Sequence, residues 1–238
     1  MIATGTARPP RPFDKKMFDL ETNPDSAARI RCVGILLAAG HGRRFASAAA
    51  GQDKLLAPLA DGTPVVMAAA SSLLAAAAGV VAVVRADNDC VAALLAQAGC
   101  EVVTIGPYAD GTNGGMGDSL AAAARHVMRT ASPDVQSCLV ALGDMPWIRA
   151  DTFLRVAEAA REHPIVAPTW QGQRGHPVAF QRSIWPALAA LAGDVGARSV
   201  LARHGVTELA VDDAGVCADV DTPDDLSTAD CGGQSAPP

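Results

Sequence analysis

The stretch GILLAAGHGRRFASAAAGQDKLLAPL, residues 34–59, decides how the chain is read. It begins as a buried strand and runs into a turn holding Gly40 and Gly42. Two cations, Arg43 and Arg44, an alanine-rich spacer and Lys54 follow. Main-chain N–H groups in such a turn, with cationic side chains beside them, suit a polyphosphate. A dinucleotide fingerprint G-x-G-x-x-G matches Gly40 and Gly42 but meets Phe45 at its third glycine, and no G-x-x-x-x-G-K-S/T loop is present. A triphosphate turn and a plain strand-to-helix turn with solvated arginines are the readings that remain.

Working outward, apolar strand-like runs alternate with longer helical stretches: CVGILLA, PVVMAAASSLLAAAA, VVAVVR, DCVAALLAQAG and EVVTIG, then GDSLAAAARHVMR, SCLVALGD, ADTFLRVAEAAREH and PIVAPTW. This is the βαβ rhythm of a parallel sheet covered on both faces. Asp151 is expected to cap one of these helices and Gly99 to stop another. After Trp170 the rhythm loosens into QGQRGHPVAF, two short helices around a GDVGARS loop, a strand TELAV, and CADVDTPDDL. Residues 1–29 read as a flexible leader, 30–230 as one domain, and 231–238 as a flexible tail.

At 238 residues the chain is long enough for one sizeable core, and with half its residues hydrophobic but only 4% aromatic that core is built from small side chains. The net charge of -6 argues against a general nucleic-acid binder, so any anion must be held locally. The longest apolar run is interrupted by Ser71, Ser72 and Gly79 and reads as helix, turn and strand, with no membrane span expected. None of the six cysteines forms a C-x-x-C pair, which points to small core residues of a cytoplasmic protein.

Two acidic segments carry the remaining chemistry. CLVALGDMPWI puts Asp144 directly after a buried strand, at the end where open α/β sheets bind ligands. Magnesium takes one or two carboxylates with phosphate oxygens and water, and Asp144 suits that role. In CADVDTPDDL, Asp219 and Asp221 alternate along an expected strand and so face the same side. Asp224 and Asp225 read as first-turn residues of a last helix.

LLAAGHGRRF…DKLLAPL resembles the L-A-A-G-x-G/S-x-R-(M/F)…K-L signature of GT-A-like nucleotidyltransferases, within them the molybdenum cofactor cytidylyltransferases and their relatives. The resemblance extends from about Val33 to Leu226. It implies a single-domain three-layer α/β/α sandwich around a mostly parallel, Rossmann-like sheet. It also implies a loop of Leu37, Ala38, Ala39, Gly40 and Gly42 that holds the nucleotide, with Arg44 and Lys54 on the phosphates and catalytic together with Asp144. Asp144 and Asp221 would hold the metal, with Asp219 the weaker choice; the ion is magnesium, with manganese as its alternative. The chain departs from the family in the spacer ASAAAGQD, longer than usual, which bears on where Lys54 sits.

TNGGMGDSLAAAARHV resembles the family's G-M-S-x-S-L-x-x-A, with Gly115 and Ser119 near the nucleotide, Gly117 allowing close approach, and Asp118 where a small residue is usual. GQRGHPVAF resembles G-x-x-G-H-P-V-x-F, and LAGDVGARSVL resembles G-D-x-G-A-R; they make Arg174, Gly175, His176 and Arg198 the acceptor-binding candidates. The implied reaction transfers CMP from CTP to the terminal phosphate of molybdopterin. CTP is preferred because Ala38-Ala39-Gly40 resembles the cytidylyltransferases, whereas guanylyltransferase relatives carry L-A-G-G. Implied partners are a molybdoenzyme or a maturation chaperone. A guanylyl- or sugar- or polyol-phosphate nucleotidyltransferase, and a non-catalytic molybdenum cofactor carrier, stand as alternatives.

Overall fold

In the computed structural model, residues 32–106 and 114–230 are described. The expected leader 1–29 and tail 231–238 lie outside the described residues.

Four apolar runs pair as the parallel core of an eight-stranded sheet. β1 (Cys32–Ala38) lies between β2 (Val80–Arg85) and β4 (Ser137–Leu142), and β3 (Glu101–Ile105) pairs β2, all parallel. Beyond β4 the sheet turns mixed. β7 (Val178–Gln181) runs antiparallel between β4 and β5 (Ile165–Trp170). β5 also forms a tight hairpin with β6 (Gln173–Arg174) and pairs parallel with β8 (Thr207–Ala210).

Because side chains alternate across a strand, each central strand feeds two cores. Leu36, Ala82, Val84, Leu139 and Ala141 face α2 (Val65–Ala76), α3 (Asp89–Gln97) and α5 (Ala150–Ala159) through Leu73, Leu95 and Phe153. Ile35, Val81, Val83, Cys138 and Val140 face α4 (Met116–Thr130), α6 (Trp185–Ala189) and α7 (Arg198–His204) through Leu120, Leu188 and Val200. The result is the expected α/β/α sandwich. Among the described residues no helix is long and apolar enough to cross a membrane.

Gly99 ends α3 with φ +94, as expected. Three local readings are corrected. α5 begins after Arg149, which leaves Asp151 in its first turn rather than at its cap, where it pairs with the Arg149 side chain. Residues 218–221 form an extended segment outside the sheet, because their hydrogen bonding goes to a loop: the Val220 N–H donates to the Asp144 carbonyl at 2.9 Å. The expected last helix is a 3-10 helix, Pro223–Asp230.

Candidate active site

The strand order β3-β2-β1-β4 reverses direction at the β1/β4 junction. Crevices at such switch points lie outside the carboxyl ends of the strands. Here the Gly143 N–H donates to the Leu37 carbonyl at 2.9 Å and ties the two strand ends together. The glycine turn after β1 and Asp144 after β4 therefore meet across a cleft of about 230 Å³. Its walls are Leu37–His41, Lys54, Leu55, Gly114–Met116, Ser119, Leu142, Asp144 and Asp194.

The long spacer is a folded excursion. After Gly42 the chain makes α1 (Arg43–Ala48), whose Phe45 is buried against Ala57, Val65 and Val220. It then doubles back, with the Gly51 N–H donating to Ala46 O at 2.8 Å and Gln52 N–H to Ala49 O at 3.0 Å. Lys54 starts a single 3-10 turn, and its aliphatic stem lies against Gly42. Gly42 has φ +55, and a Cβ there would stand 3.1 Å from Lys54 Cγ, so glycine serves both the turn and the lysine.

Lys54 is 8% exposed. Its ammonium donates to Asp144 Oδ2 at 2.6 Å and lies 3.7 Å from Asp221 Oδ1. The mostly exposed Arg44 donates to the other Asp221 oxygen at 2.5 Å. A second recess, lined by Gly42, Arg43, Arg44, Lys54 and Asp221, continues from the first across Lys54. Asp221 is oriented by Asp225, whose carboxylate accepts from the N–H groups of Asp221 and Thr222 at 3.0 and 2.7 Å.

Burial, then the charges of Asp221 and Asp144, raise the Asp219 carboxyl above its ordinary range, against a smaller opposing pull from Lys54. His176 is pushed down by burial, partly offset by the Val140 carbonyl and the charges of Asp144 and Asp219. Its Nδ1 lies 3.4 Å from Val140 O.

Asp144 and Asp221 offer hard oxygen donors that converge on one ammonium. Among the described residues no group of three or more His, Cys, Asp or Glu side chains converges as a metal cage. Two carboxylates completed by phosphate oxygens and water are what magnesium takes, so the donor set fits that ion.

On the opposite wall, Ser119 donates from Oγ to Gly115 O at 3.0 Å. Asp118 is the clip of this wall: its Oδ2 accepts from Gly115 N at 2.8 Å and from Gly193 N at 3.0 Å. That seats residues 192–194 so closely that a Cβ on Gly115 would stand 2.2 Å from Asp194 Oδ1. The acceptor candidates are not gathered in this cleft. Arg174 is exposed and pairs with Glu208 at 3.2 Å, and Arg198 is exposed on α7. Gly175 and His176 join the carboxylate side through the loop at Val216, where His176 N–H donates to Val216 O at 2.9 Å.

Residue patterns alone did not single out His41, Asp194, Asp53, Asn88 or Arg85. His41, between the two turn glycines, and Asp194, in the GDVGAR segment, carried a positional signal; Asp53, Asn88 and Arg85 carry none outside the fold.

A family model described as the MobA-like NTP transferase domain matches residues 34–208. No curated protein matches the chain. Among solved structures, the chain is similar to Rv0371c from Mycobacterium tuberculosis H37Rv, at 29% identity and TM-score 0.68, over 82% of this chain and 95% of that one. Rv0371c in complex with manganese aligns at 28% identity and TM-score 0.64, over 82% and 95%. Molybdopterin-guanine dinucleotide biosynthesis protein A from Archaeoglobus fulgidus shares the fold at 21% identity and TM-score 0.57, over 82% and 94%. The phosphate-type turn, the convergent carboxylates and the family match over residues 34–208 agree, and the chain belongs to the MobA-like NTP transferase family, a nucleotidyltransferase of that kind.

Proposed function

We propose that the protein transfers CMP from CTP to the terminal phosphate of molybdopterin, in a magnesium-dependent reaction that releases pyrophosphate. The observation that carries this reading is the chain of contacts Asp144–Lys54–Asp221–Arg44 at the mouth of the β1/β4 cleft. It sets cations and carboxylates alternately along the path a triphosphate would take from the glycine turn.

In this reading Lys54 and Arg44 hold the phosphates, and the main-chain N–H groups of the Gly40–Gly42 turn add neutral donors. Asp144 and Asp221 are the protein ligands of magnesium; the chemistry the ion supplies when bound is neutralisation of charge on the triphosphate. That a manganese complex of Rv0371c exists supports a divalent ion in a relative at 28% identity. An oxygen of the acceptor phosphate forms the new bond to the α-phosphorus, and the bond from that phosphorus to the bridging oxygen breaks, with pyrophosphate leaving. A phosphate monoester is largely dianionic at neutral pH, so no side chain needs to deprotonate it. Lys54, 8% exposed, balances the leaving charge from a largely buried position.

The Ala38-Ala39-Gly40 form of the loop supports CTP. His176, Gly175, Arg174 and Arg198 are the proposed acceptor side. The test is pyrophosphate release with each of CTP, GTP, UTP and ATP, with magnesium and with or without molybdopterin. Release that needs both CTP and molybdopterin is the expected result. Release with GTP, or with a sugar or polyol phosphate in place of molybdopterin, would move the protein to a sibling activity; no release with any pair would favour a cofactor carrier.

A further inference from the structure

The corner between β2 and α3 contributes no side chain to the wall of the cleft, yet it holds both halves of the phosphate site. Asn88 is 8% exposed. Its Oδ1 caps α3 by accepting from the Val91 N–H at 3.3 Å, and its Nδ2 donates to Asp53 Oδ2 at 2.5 Å. The other Asp53 oxygen accepts from the Leu55 N–H at 2.9 Å. Asp53 thus straddles Lys54: its carboxylate is engaged by the backbone on one side and by Asn88 on the other. A free carboxylate next in sequence would compete with Asp144 for the ammonium.

Three residues earlier, Arg85 donates from Nε to Asp87 Oδ1 at 2.8 Å and from Nη1 to the Gly40 carbonyl at 2.9 Å. The Gly40–His41 peptide is trans, so its C=O and N–H point in opposite directions. With the carbonyl held by Arg85, the His41 N–H is turned away from Arg85. Gly40 and His41 both line the cleft, so the orientation of this peptide shapes the cleft wall.

We infer that Arg85, Asn88 and Asp53 are positioning residues for triphosphate binding: Asn88 and Asp53 set the reach of Lys54, and Arg85 sets the orientation of a main-chain donor in the glycine turn. The inference rests on the nucleotide reading above. It also accounts for a long spacer before Lys54. The lysine turn is anchored to β2–α3 through Asp53 and Asn88 as well as to the folded spacer that precedes it.

The test exchanges the two anchoring groups. Asp53→Asn alone sets two amide donors against each other, and Asn88→Asp alone sets two carboxylates against each other. The double exchange keeps one amide and one carboxylate, still able to accept from Leu55 and Val91. CTP affinity is measured by calorimetry in magnesium buffer, with kcat for pyrophosphate release and the melting temperature alongside. Each single variant is expected to weaken CTP binding about tenfold, and the double exchange to return it to within about threefold of the parent. Arg85→Gln is expected to weaken CTP binding with little change in melting temperature. Single variants that bind CTP like the parent, or a double exchange that restores melting temperature without restoring CTP affinity, would overturn the inference. Lys54→Ala serves as the control. If it binds CTP normally, the nucleotide reading itself fails, and the clamp with it; if it loses CTP while Asp53→Asn does not, only the clamp fails.

Discussion

The Lys54 ammonium donates to Asp144 Oδ2 at 2.6 Å across 90 residues of sequence, and the pair is the pivot of the site. Lys54 is the counter-ion of a carboxylate group in which Asp219 is already raised by burial and then by the charges of Asp221 and Asp144. Removing the cation leaves those carboxylates facing one another.

Lys54→Ala is therefore expected to lower turnover by about 10²–10³-fold, the scale of losing one preorganised charge at a reacting phosphate. It should also cost about 3 kcal/mol of stability, the low end for breaking a buried pair, because the Asp144 side chain keeps 21% exposure. Chemical denaturation and single-turnover pyrophosphate release check the two effects. Added magnesium should recover more stability in this variant than in the parent, since the carboxylates then have no competing ammonium.

Asp144→Asn and Asp221→Asn should separate in kind. Asp144 is the nearer partner of Lys54, and its loss is expected to abolish magnesium-dependent release of pyrophosphate. Asp221 also pairs with Arg44, whose side chain is 81% exposed, so its variant should retain activity at raised magnesium concentration. A magnesium titration of initial rates, with removal by EDTA and replacement by manganese, reads this.

Gly175→Ala tests how the acceptor side is held. An added Cβ would stand 1.9 Å from the Val216 carbonyl oxygen, a backbone atom that has no rotamer to escape through. Gly215→Ala would meet the Trp147 carbonyl at 2.3 Å. Each is expected to cost about 1–3 kcal/mol by overpacking, and to disturb the loop that carries His176. Thermal melts show the first effect, and a rise in acceptor KM with unchanged CTP affinity shows the second.

The pH dependence of stability has opposing contributions that can be separated. His176 is held below its ordinary 6.5 by burial, so under acid the unfolded chain binds its proton first. Its contribution to stability is present above that value and is lost as pH falls toward the folded-state value. Asp219 is raised above 3.8, so the folded chain binds that proton first, and its contribution is lost as pH rises through the folded-state value. His176→Gln is expected to flatten the fall in melting temperature between about pH 7 and pH 5. Asp219→Asn should raise the melting temperature at neutral pH. Melting curves across that range check both.

Residue order and type were enough for much of this molecule. Alternation of apolar runs with helical stretches predicted the layered sandwich, since strands buried on both faces read as continuous apolar segments. Gly40, Gly42, Arg44, Lys54 and Asp144 were legible as candidates because a glycine-rich turn flanked by cations and a strand-end carboxylate are local patterns. The antiparallel insertion of β7 between β4 and β5 was not legible, because pairing partners are set by packing of the whole sheet, and the GHPVAF run reads the same in either direction. Asp219 and Asp221 were placed in a strand that does not form, since the Asp144 carbonyl takes the Val220 N–H. That one hydrogen bond brings Asp221 to a lysine far away in sequence. Local patterning carries chemistry-bearing residues to the ends of strands; which ends meet, and which groups such as the buried Asn88 and the half-buried Asp118 lock them, depends on hydrogen bonds between residues tens of positions apart, and those exist only in the folded chain.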